Sequence, residues 1–299
     1  MTIRQFQREL SGILSAAGLK EPRHEALLLM AGVLDRPISF FYAHPDDTLD
    51  ERTTESLRAL AVRRTRHEPL AYLIGTADFS GLTFSVGPGV LIPRPDSEIL
   101  VETSRSIALA HLWPTRKTAG RPLRILDACA GSGCIGISLA HVLEEAGCRT
   151  DLVFTDLDPV PLSYIRQNLR RNPLRGRTAL YQADLFPPAA AEPEPFDLIT
   201  ANPPYIPSGD IDGLMPEVSC HEPHLALDGG ADGLDIYRML IDRAINRLAA
   251  DGWLILEHGY DQADAVRAIL QEAGYESLLP VIRDFGNQPR VGGGCRSLN

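Results

Sequence analysis

The sequence predicts an α/β fold: a doubly wound, mostly parallel sheet preceded by a small N-terminal helical domain. Three observations predict it. Residues 1–75 read as helices. From about residue 93, strand-length apolar runs alternate with helical segments, the pattern of βαβ units with helices on both faces of a sheet. Between the two, residues 76–92 hold two short strand-like runs around the turn-prone pair Ser80-Gly81. The expected organisation is a helical domain over 1–75 that docks a substrate, a β-hairpin linker over 76–92 and a catalytic domain over 93–299.

In the first region, Phe6, Leu10, Ile13, Leu14 and Ala17 share one helical face, and Gly18 stops the run. Pro22 suits a first helical position, followed by Ala26, Leu29, Met30 and Val33 on one side. A third helix starts at Asp50, uses Leu57, Leu60 and Ala61, and is interrupted at Pro69. The hairpin is read as strands over 77–79 and 82–86, followed by Gly87, Pro88, Gly89 and an apolar run over 90–92. Arg94-Pro95-Asp96-Ser97-Glu98 reads as a helix start with Asp96 as its cap. Strands are expected over 123–128, 152–156, 179–183, 196–201, 253–257 and 275–282. Helices are expected over 131–147, 159–172, 236–250 and 262–273. Residues 187–195 are rich in Pro, Ala and Glu and read as a solvated loop.

Composition narrows the class. The chain has 299 residues, 44% hydrophobic and 23% charged, enough for one large core or two smaller ones. Acidic residues exceed basic ones, 39 to 29, for a net charge of −10. That balance argues against a protein that grips bare nucleic acid by its phosphates. No apolar run is long enough for a membrane span, and residues 1–10 carry Arg4, Arg8 and Glu9 in place of an apolar signal core. The five cysteines are odd in number and lack framework spacing, so they read as reduced thiols and the expected location is cytoplasmic.

Three segments carry chemistry, each at the carboxyl end of an expected strand, where ligands of such sheets bind. The first is Asp127-Ala128-Cys129-Ala130-Gly131-Ser132-Gly133, small residues that let a backbone approach a ligand. It departs from the dinucleotide fingerprint: Cys129 stands at the first glycine position and Gly136 falls too late. A tight strand-to-helix turn without a ligand is the plain alternative. The second is Asp156, near the roughly 20-residue distance at which an acidic residue accepts from a ribose diol. Asp158 competes for that role but, before Pro159, reads better as a helix cap. The third is Asn202-Pro203-Pro204-Tyr205. Two prolines stiffen the backbone and leave carbonyls as acceptors, and the Asn side chain adds another. Two acceptors hold a planar NH2 group in a defined orientation, and Tyr205 offers an aromatic face for a planar amide or a cation. The arrangement suits methyl transfer from a sulfonium to a planar NH2.

The chain resembles the release-factor glutamine methyltransferases (PrmC/HemK) over nearly its whole length. Besides the glycine turn and Asn202-Pro203-Pro204-Tyr205-Ile206, the matching segments are Glu68-Pro69-Leu70-Ala71-Tyr72-Leu73-Ile74-Gly75 and Leu91-Ile92-Pro93-Arg94-Pro95-Asp96-Ser97-Glu98. Further matches are Glu222-Pro223 with Ala226-Leu227, Gly229-Gly230-Ala231-Asp232-Gly233-Leu234-Asp235, and Glu257-His258-Gly259 with Gln262. The Asn-Pro-Pro-Tyr loop alone also occurs in adenine amino-methyltransferases; the joint set is more specific. The resemblance implies a seven-stranded Rossmann-like methyltransferase sheet, S-adenosyl-L-methionine as donor and S-adenosyl-L-homocysteine as product. It implies a peptide chain release factor as partner, methylated on the Gln of its Gly-Gly-Gln motif; from the acidic charge and the lack of a long apolar run, no membrane and no direct nucleic-acid substrate are expected. By motif position it implies Cys129, Ala130, Gly131, Ser132, Gly133, Asp156, Leu185 and Asn202 for the cofactor. It places Asn202, Pro203, Pro204 and Tyr205 around the substrate amide as catalytic residues. Two positions depart from the family pattern: Cys129 replaces the usual first glycine, tolerable if its φ is negative, and Leu185 stands where an aromatic is common.

Other constellations are weaker. Cys220, His221 and His224 could suggest a metal, but no second cluster completes a site, so none is expected. Arg63, Arg64 and Arg66, and Arg166, Arg170, Arg171, Arg175 and Arg177, read as solvated helix faces, with docking to an acidic protein or to RNA as the alternative. His258 reads as strand-end support, with a general-base role conceivable. The competing functions are the same chemistry on a ribosomal-protein glutamine, a peptide natural product or an adenine amino group, and a cofactor-binding scaffold without catalysis, motivated by Cys129. A nicotinamide dehydrogenase is disfavoured by the broken glycine pattern.

Overall fold

The computed structural model describes residues 1–296. The chain divides into two compact units, one formed by Met1–Thr76 with Met215–His221, the other by Ala77–Leu214 with Glu222–Asn299. All of the β-hairpin read as a linker except Thr76 falls in the second unit.

The first unit is helical. Its helices are α1 (Ile3–Ala16), α2 (Pro22–Leu34), α3 (Ile38–Ala43), α4 (Glu51–Arg64) and α5 (Leu70–Ile74). Thr2 and Gln5 form a reciprocal capping box on α1, and the Asp50 carboxylate accepts from the Thr53 N–H to cap α4. The apolar faces foreseen in the sequence meet in one core that includes Phe6, Leu10, Leu14, Leu29, Met30 and Leu57, whereas Val33, placed on the same face of α2, is exposed. The short α3, absent from the sequence expectation, adds Phe41. Buried Arg64 closes the unit, donating to Glu25 at 2.6 and 3.0 Å and to Glu217 at 3.0 Å. Glu217 lies on the four-residue helix that, in chain order, becomes α10 (Pro216–Ser219).

The second unit opens with the hairpin β1 (Thr76–Phe79) and β2 (Leu82–Ser85). A 3-10 turn, Pro95–Ser97, leads into α6 (Glu98–Ile107), and a π-turn over Ala108–Leu112 joins it to α7 (Trp113–Thr118). The helix start is where the sequence places it, but Asp96 makes no capping bond; its carboxylate lies 3.5 Å from Arg290 instead. The alternating pattern then runs β3 (Leu123–Ala128), α8 (Cys134–Glu145), β4 (Thr150–Asp156), α9 (Pro159–Arg171), β5 (Arg177–Gln182) and β6 (Phe196–Ala201). It continues with α11 (Asp235–Ala244), β7 (Leu248–Glu257), α12 (Ala263–Glu272), β8 (Ile282–Arg283) and β9 (Pro289–Cys295).

The seven strands order as β5-β4-β3-β6-β7-β9-β8, parallel except where β9 runs antiparallel to β7 and β8. Two apolar cores form around the sheet, one including Ile125, Ile137 and Phe154, the other Leu126, Ile199 and Tyr237. This matches the doubly wound class.

Three elements differ from expectation. The helix expected to reach residue 250 ends at Ala244, because Leu248 already pairs with Phe196 at the start of β7. The strand expected over 275–282 shrinks to Ile282–Arg283; Pro280 in that run has no N–H to give a ladder. The strand against β7 is instead β9, whose Gly292-Gly293-Gly294 run reads as a breaker in sequence. A Cβ on Gly293 would sit 2.3 Å from the Leu254 carbonyl oxygen, so the close backbone approach requires glycine.

Candidate active site

Strand register brings the chemistry to one sheet edge. Ala128 pairs with Thr155 on one side and with Ala201 on the other, and Ala201 pairs with Leu256. Cys129, Asp156, Asn202 and Glu257 therefore leave four neighbouring strands at one level. The chain crosses to one side through β4 and β5 and to the other through β6 and β7, so this edge is the switch point of the sheet.

The glycine turn is tight. Ala130 N–H donates to the Thr155 carbonyl at 3.0 Å, and Gly133 N–H to the Ala130 carbonyl at 2.7 Å. Gly131 and Gly133 have φ of +54° and +77°, which delays the start of α8 to Cys134. A Cβ on Gly131 would meet no atom within 4 Å, leaving its face open to the cleft it lines. Cys129 has φ +54°, so the condition under which a side chain is easily tolerated there is not met: it occupies a left-handed position that favours glycine. Burial pushes its thiol pKa up, so it is a neutral thiol rather than a nucleophile. Asp127, fully buried, accepts from Gly136 N–H at 2.9 Å, and burial pushes its carboxyl up to about 8.

Asp156 stands beside this turn. Its Oδ2 accepts from Gly131 N–H at 2.9 Å and its Oδ1 from Asp158 N–H at 3.1 Å. Burial raises its pKa, partly offset by these donors. Asp158 caps α9 by accepting from Val160 N–H at 2.8 Å, as the sequence predicts, and also lines the cleft. After β5 the chain turns through Ala183, Asp184 and Leu185 at the same edge. Leu185 is buried, with φ +66°, and its carbonyl accepts from the Thr155 hydroxyl at 2.6 Å.

Asn202 begins the proline elbow. Its Nδ2 lies 3.4 Å from the Ser97 hydroxyl. Among the described residues no hydrogen bond ends on its Oδ1 or on the carbonyl oxygens of Pro203 and Pro204. Asn202 and Pro204 line the cleft; the Pro203 ring is buried. Tyr205 does not line it: its ring packs against the core, burial lifts its hydroxyl pKa to about 12, and its carbonyl accepts from Gln262 Nε2 at 2.9 Å. The stacking face expected of it is thus turned to packing. The opposite wall comes from Pro223, Leu225 and Ala226. Buried Glu222 anchors that segment by accepting from Ile92 N–H at 3.1 Å and by pairing with Arg94.

The resulting cleft has an empty volume of about 850 Å³, counting the part open to solvent. Of the residues expected to act, Cys129, Gly131, Asp156, Leu185, Asn202 and Pro204 meet in it. Ala130, Ser132 and Gly133 shape the turn without lining the cleft. The lining carries the carboxyl groups of Asp156, Asp158, Asp184 and Asp228 and no Lys or Arg. Such a wall fits a cationic ligand with a diol and repels the phosphates of a dinucleotide. Leu157 and Leu185 supply apolar surface for a planar base.

Sequence reasoning missed Glu257. It is 1% exposed, burial pushes its carboxyl up to about 7, and its Oε2 has no hydrogen-bond partner. The signal was available, since a carboxylate ends an apolar strand at the edge that also bears Asn202. His258 is buried with Nδ1 2.8 Å from the Gly259 carbonyl, consistent with support of the strand end. Cys220, His221 and His224 do not form a ligand set: among the described residues no group of three such side chains could hold a metal. Arg63, Arg64 and Arg177 of the basic runs are ion-paired to Glu68, Glu25 and Glu192.

Comparison with known proteins gives two family matches: the PrmC N-terminal domain over residues 5–75 and the Methyltransferase small domain over residues 106–215. A Geobacter sulfurreducens protein named release factor glutamine methyltransferase is 36% identical, covering 98% of this chain and 96% of the relative. A protein of the same name from Bradyrhizobium diazoefficiens is 37% identical over 97% of this chain and 93% of its own. Among solved structures, the hMettl16 catalytic domain in complex with a MAT2A 3′UTR hairpin aligns with TM-score 0.54 at 12% identity, covering 84% of this chain and 83% of that one. That likeness shows the fold.

Proposed function

The chain belongs to the release factor glutamine methyltransferase family, and from that premise we propose that it methylates the side-chain amide nitrogen of the Gln in the Gly-Gly-Gln motif of a peptide chain release factor. The donor in this reading is S-adenosyl-L-methionine. The observation that carries the reading is the elbow at Asn202, which leaves oxygen acceptors without partners at the mouth of an acidic cleft.

When bound, S-adenosyl-L-methionine supplies a methyl carbon on a sulfonium: the N–C bond forms as the C–S bond breaks, its electron pair passing to sulfur. The protein binds and aims. Asp156 and Asp158 would accept from the ribose hydroxyls; each Asp156 oxygen already holds one backbone N–H and has a lone pair left. Leu157 and Leu185 would flank the base, and the open face of Gly131 would admit the cofactor close to the turn. Asn202 Oδ1 and the Pro203 carbonyl accept the two N–H bonds of the substrate carboxamide. Amide nitrogen is a poor nucleophile because its lone pair is delocalised. Two fixed acceptors align it and favour its pyramidalisation as the bond forms, stabilising the transition state more than the ground state. The surplus N–H proton leaves to water. The acidic cleft wall also holds a cation near the acceptor.

The helical unit is read as the docking surface for the release factor, because one Gln side chain offers too little area for protein selectivity. A cytoplasmic location is part of this reading, supported by five cysteines that are odd in number and lack framework spacing; among the described residues, no helix is long and apolar enough to cross a membrane. The test is calorimetry with S-adenosyl-L-methionine followed by radiolabelled methyl transfer to a purified release factor. Binding with transfer supports the reading. Binding without transfer supports a scaffold instead, and absence of binding removes the donor assignment.

A further inference from the structure

We propose that Glu257 is a positioning residue for this reaction: its ionised carboxylate takes the Nδ2–H of Asn202, fixes the orientation of that amide, and strengthens Oδ1 as the acceptor for the substrate carboxamide. The inference deepens the function proposed above and rests on it.

The argument starts from register. Ala201 and Leu256 are partners on the parallel strands β6 and β7, so Asn202 and Glu257 leave the sheet side by side. The 3-10 turn before α6 brings Ser97 to the same place, 3.4 Å from Asn202 Nδ2. Asn202 Nδ2 donates to the Ser97 hydroxyl at 3.4 Å, both residues hold the Glu257 carboxyl pKa down, and Oε2 is buried without a hydrogen-bond partner. Leaving a buried carboxyl oxygen unpaired destabilises a fold, so its presence beside the reacting amide calls for a role. An apolar residue would fill this position without that cost.

Electrostatics supply the role. A donor bonded to a carboxylate is polarised, and hydrogen bonds in series strengthen one another in a low-dielectric site. Charge drawn toward Nδ2–H leaves Oδ1 a better acceptor. The carboxylate also permits only one amide orientation, since Nδ2 rather than Oδ1 must face it. Oδ1 is then held toward the cleft before substrate arrives.

The carboxyl is pushed up to about 7 by burial, with Asp96 raising it and Ser97, Arg290 and Asn202 lowering it. Tyr205, Tyr237 on α11 and Cys134 on α8 also sense its charge. Of these neighbours, Tyr205, Tyr237 and Cys134 are all shifted toward the neutral form at pH 7. Because the ionised form is the active one, turnover rises with pH through about 7. Asp127, raised to about 8, and His258, lowered by burial, titrate elsewhere at the same edge, so the variant must identify the group.

The experiment measures steady-state methylation of a release factor from pH 5.5 to 8.5 by wild type, Glu257→Gln and Ser97→Ala, with calorimetry for S-adenosyl-L-methionine. Glu257→Gln keeps volume and removes the charge. It is expected to lower kcat about tenfold, to leave KM for the release factor and Kd for the donor within about twofold, and to abolish the rise near pH 7. Ser97→Ala removes a donor that lowers the Glu257 pKa, so its rise is expected at higher pH. Wild-type kcat with an intact rise in Glu257→Gln overturns the inference, as does a Ser97→Ala rise that does not move. Ser97→Ala keeps the inference testable should Glu257→Gln not fold. If wild type itself transfers no methyl group, the proposed function fails first.

Discussion

At Asn202 one side chain divides two tasks between its two ends. Nδ2 faces Ser97 and Glu257, and Oδ1 is left for a ligand. Removing the side chain beyond Cβ deletes an acceptor made for the transition state and touches little of the core. Asn202→Ala is expected to lower kcat by roughly 100-fold or more, while the thermal midpoint moves by only a few degrees. Loss of fold with unchanged specific activity of the surviving fraction would refute that division. Cys129 presents the opposite case, a side chain where the backbone favours none. At φ +54° the left-handed conformation costs a non-glycine residue about 1–2 kcal/mol, against which glycine loses roughly 0.5–1 kcal/mol of chain entropy. Cys129→Gly is therefore expected to raise stability slightly in urea unfolding, and Cys129→Val, β-branched, to lower it by more than about 1 kcal/mol. Equal stability of all three proteins would contradict the assignment. The chemistry of both residues was legible in the sequence. The dihedral at Cys129 was not, because it is imposed by the turn around it rather than by residue type.

The elements act through their ends. Register alone collects Cys129, Asp156, Asn202 and Glu257, and each of those strand ends was readable as an apolar run closed by a polar or small residue. The last strand was not. Gly292-Gly293-Gly294 has the composition of a loop, and only the proximity of Leu254 and Leu278 shows why glycines pack there. Asp127 joins two elements, accepting at the end of β3 from Gly136 N–H in α8. Its folded pKa is raised to about 8 from an unfolded value near 3.9, so the folded state holds a proton the unfolded state has lost between those values. The sign follows: this contribution to stability is complete below about pH 4 and is lost as pH rises toward 8. Asp127→Asn keeps an acceptor and cannot ionise. Its stability relative to wild type is expected to increase from pH 5 to pH 8 in urea unfolding, whereas a constant difference would show that Asp127 does not titrate across that range.

The whole molecule does not follow chain order. Residues 215–221 belong with the N-terminal helices, and their anchor is the ion pair of Glu217 with Arg64, far apart in sequence. Periodicity read neither that pair nor the short α3, since both depend on long-range partners rather than on a repeating face. The division of labour proposed for the chain, with docking apart from chemistry, makes a kinetic prediction. A free Gly-Gly-Gln peptide is expected to show a KM at least about tenfold above that of the intact release factor, with kcat largely kept, since the peptide loses uniform binding rather than transition-state contacts. A peptide as good as the protein would remove the need for a docking surface. The net charge of −10 further predicts that methylation depends weakly on salt, unlike a reaction guided by contacts to nucleic-acid phosphates. The central claim, an amide nitrogen methylated at the Asn202 elbow, is tested most directly by mass spectrometry of a release factor incubated with the protein and S-adenosyl-L-methionine. The account predicts one added methyl group on the Gln of the Gly-Gly-Gln peptide, absent with Asn202→Ala; a methyl group on another residue, or its undiminished appearance with that variant, would contradict it.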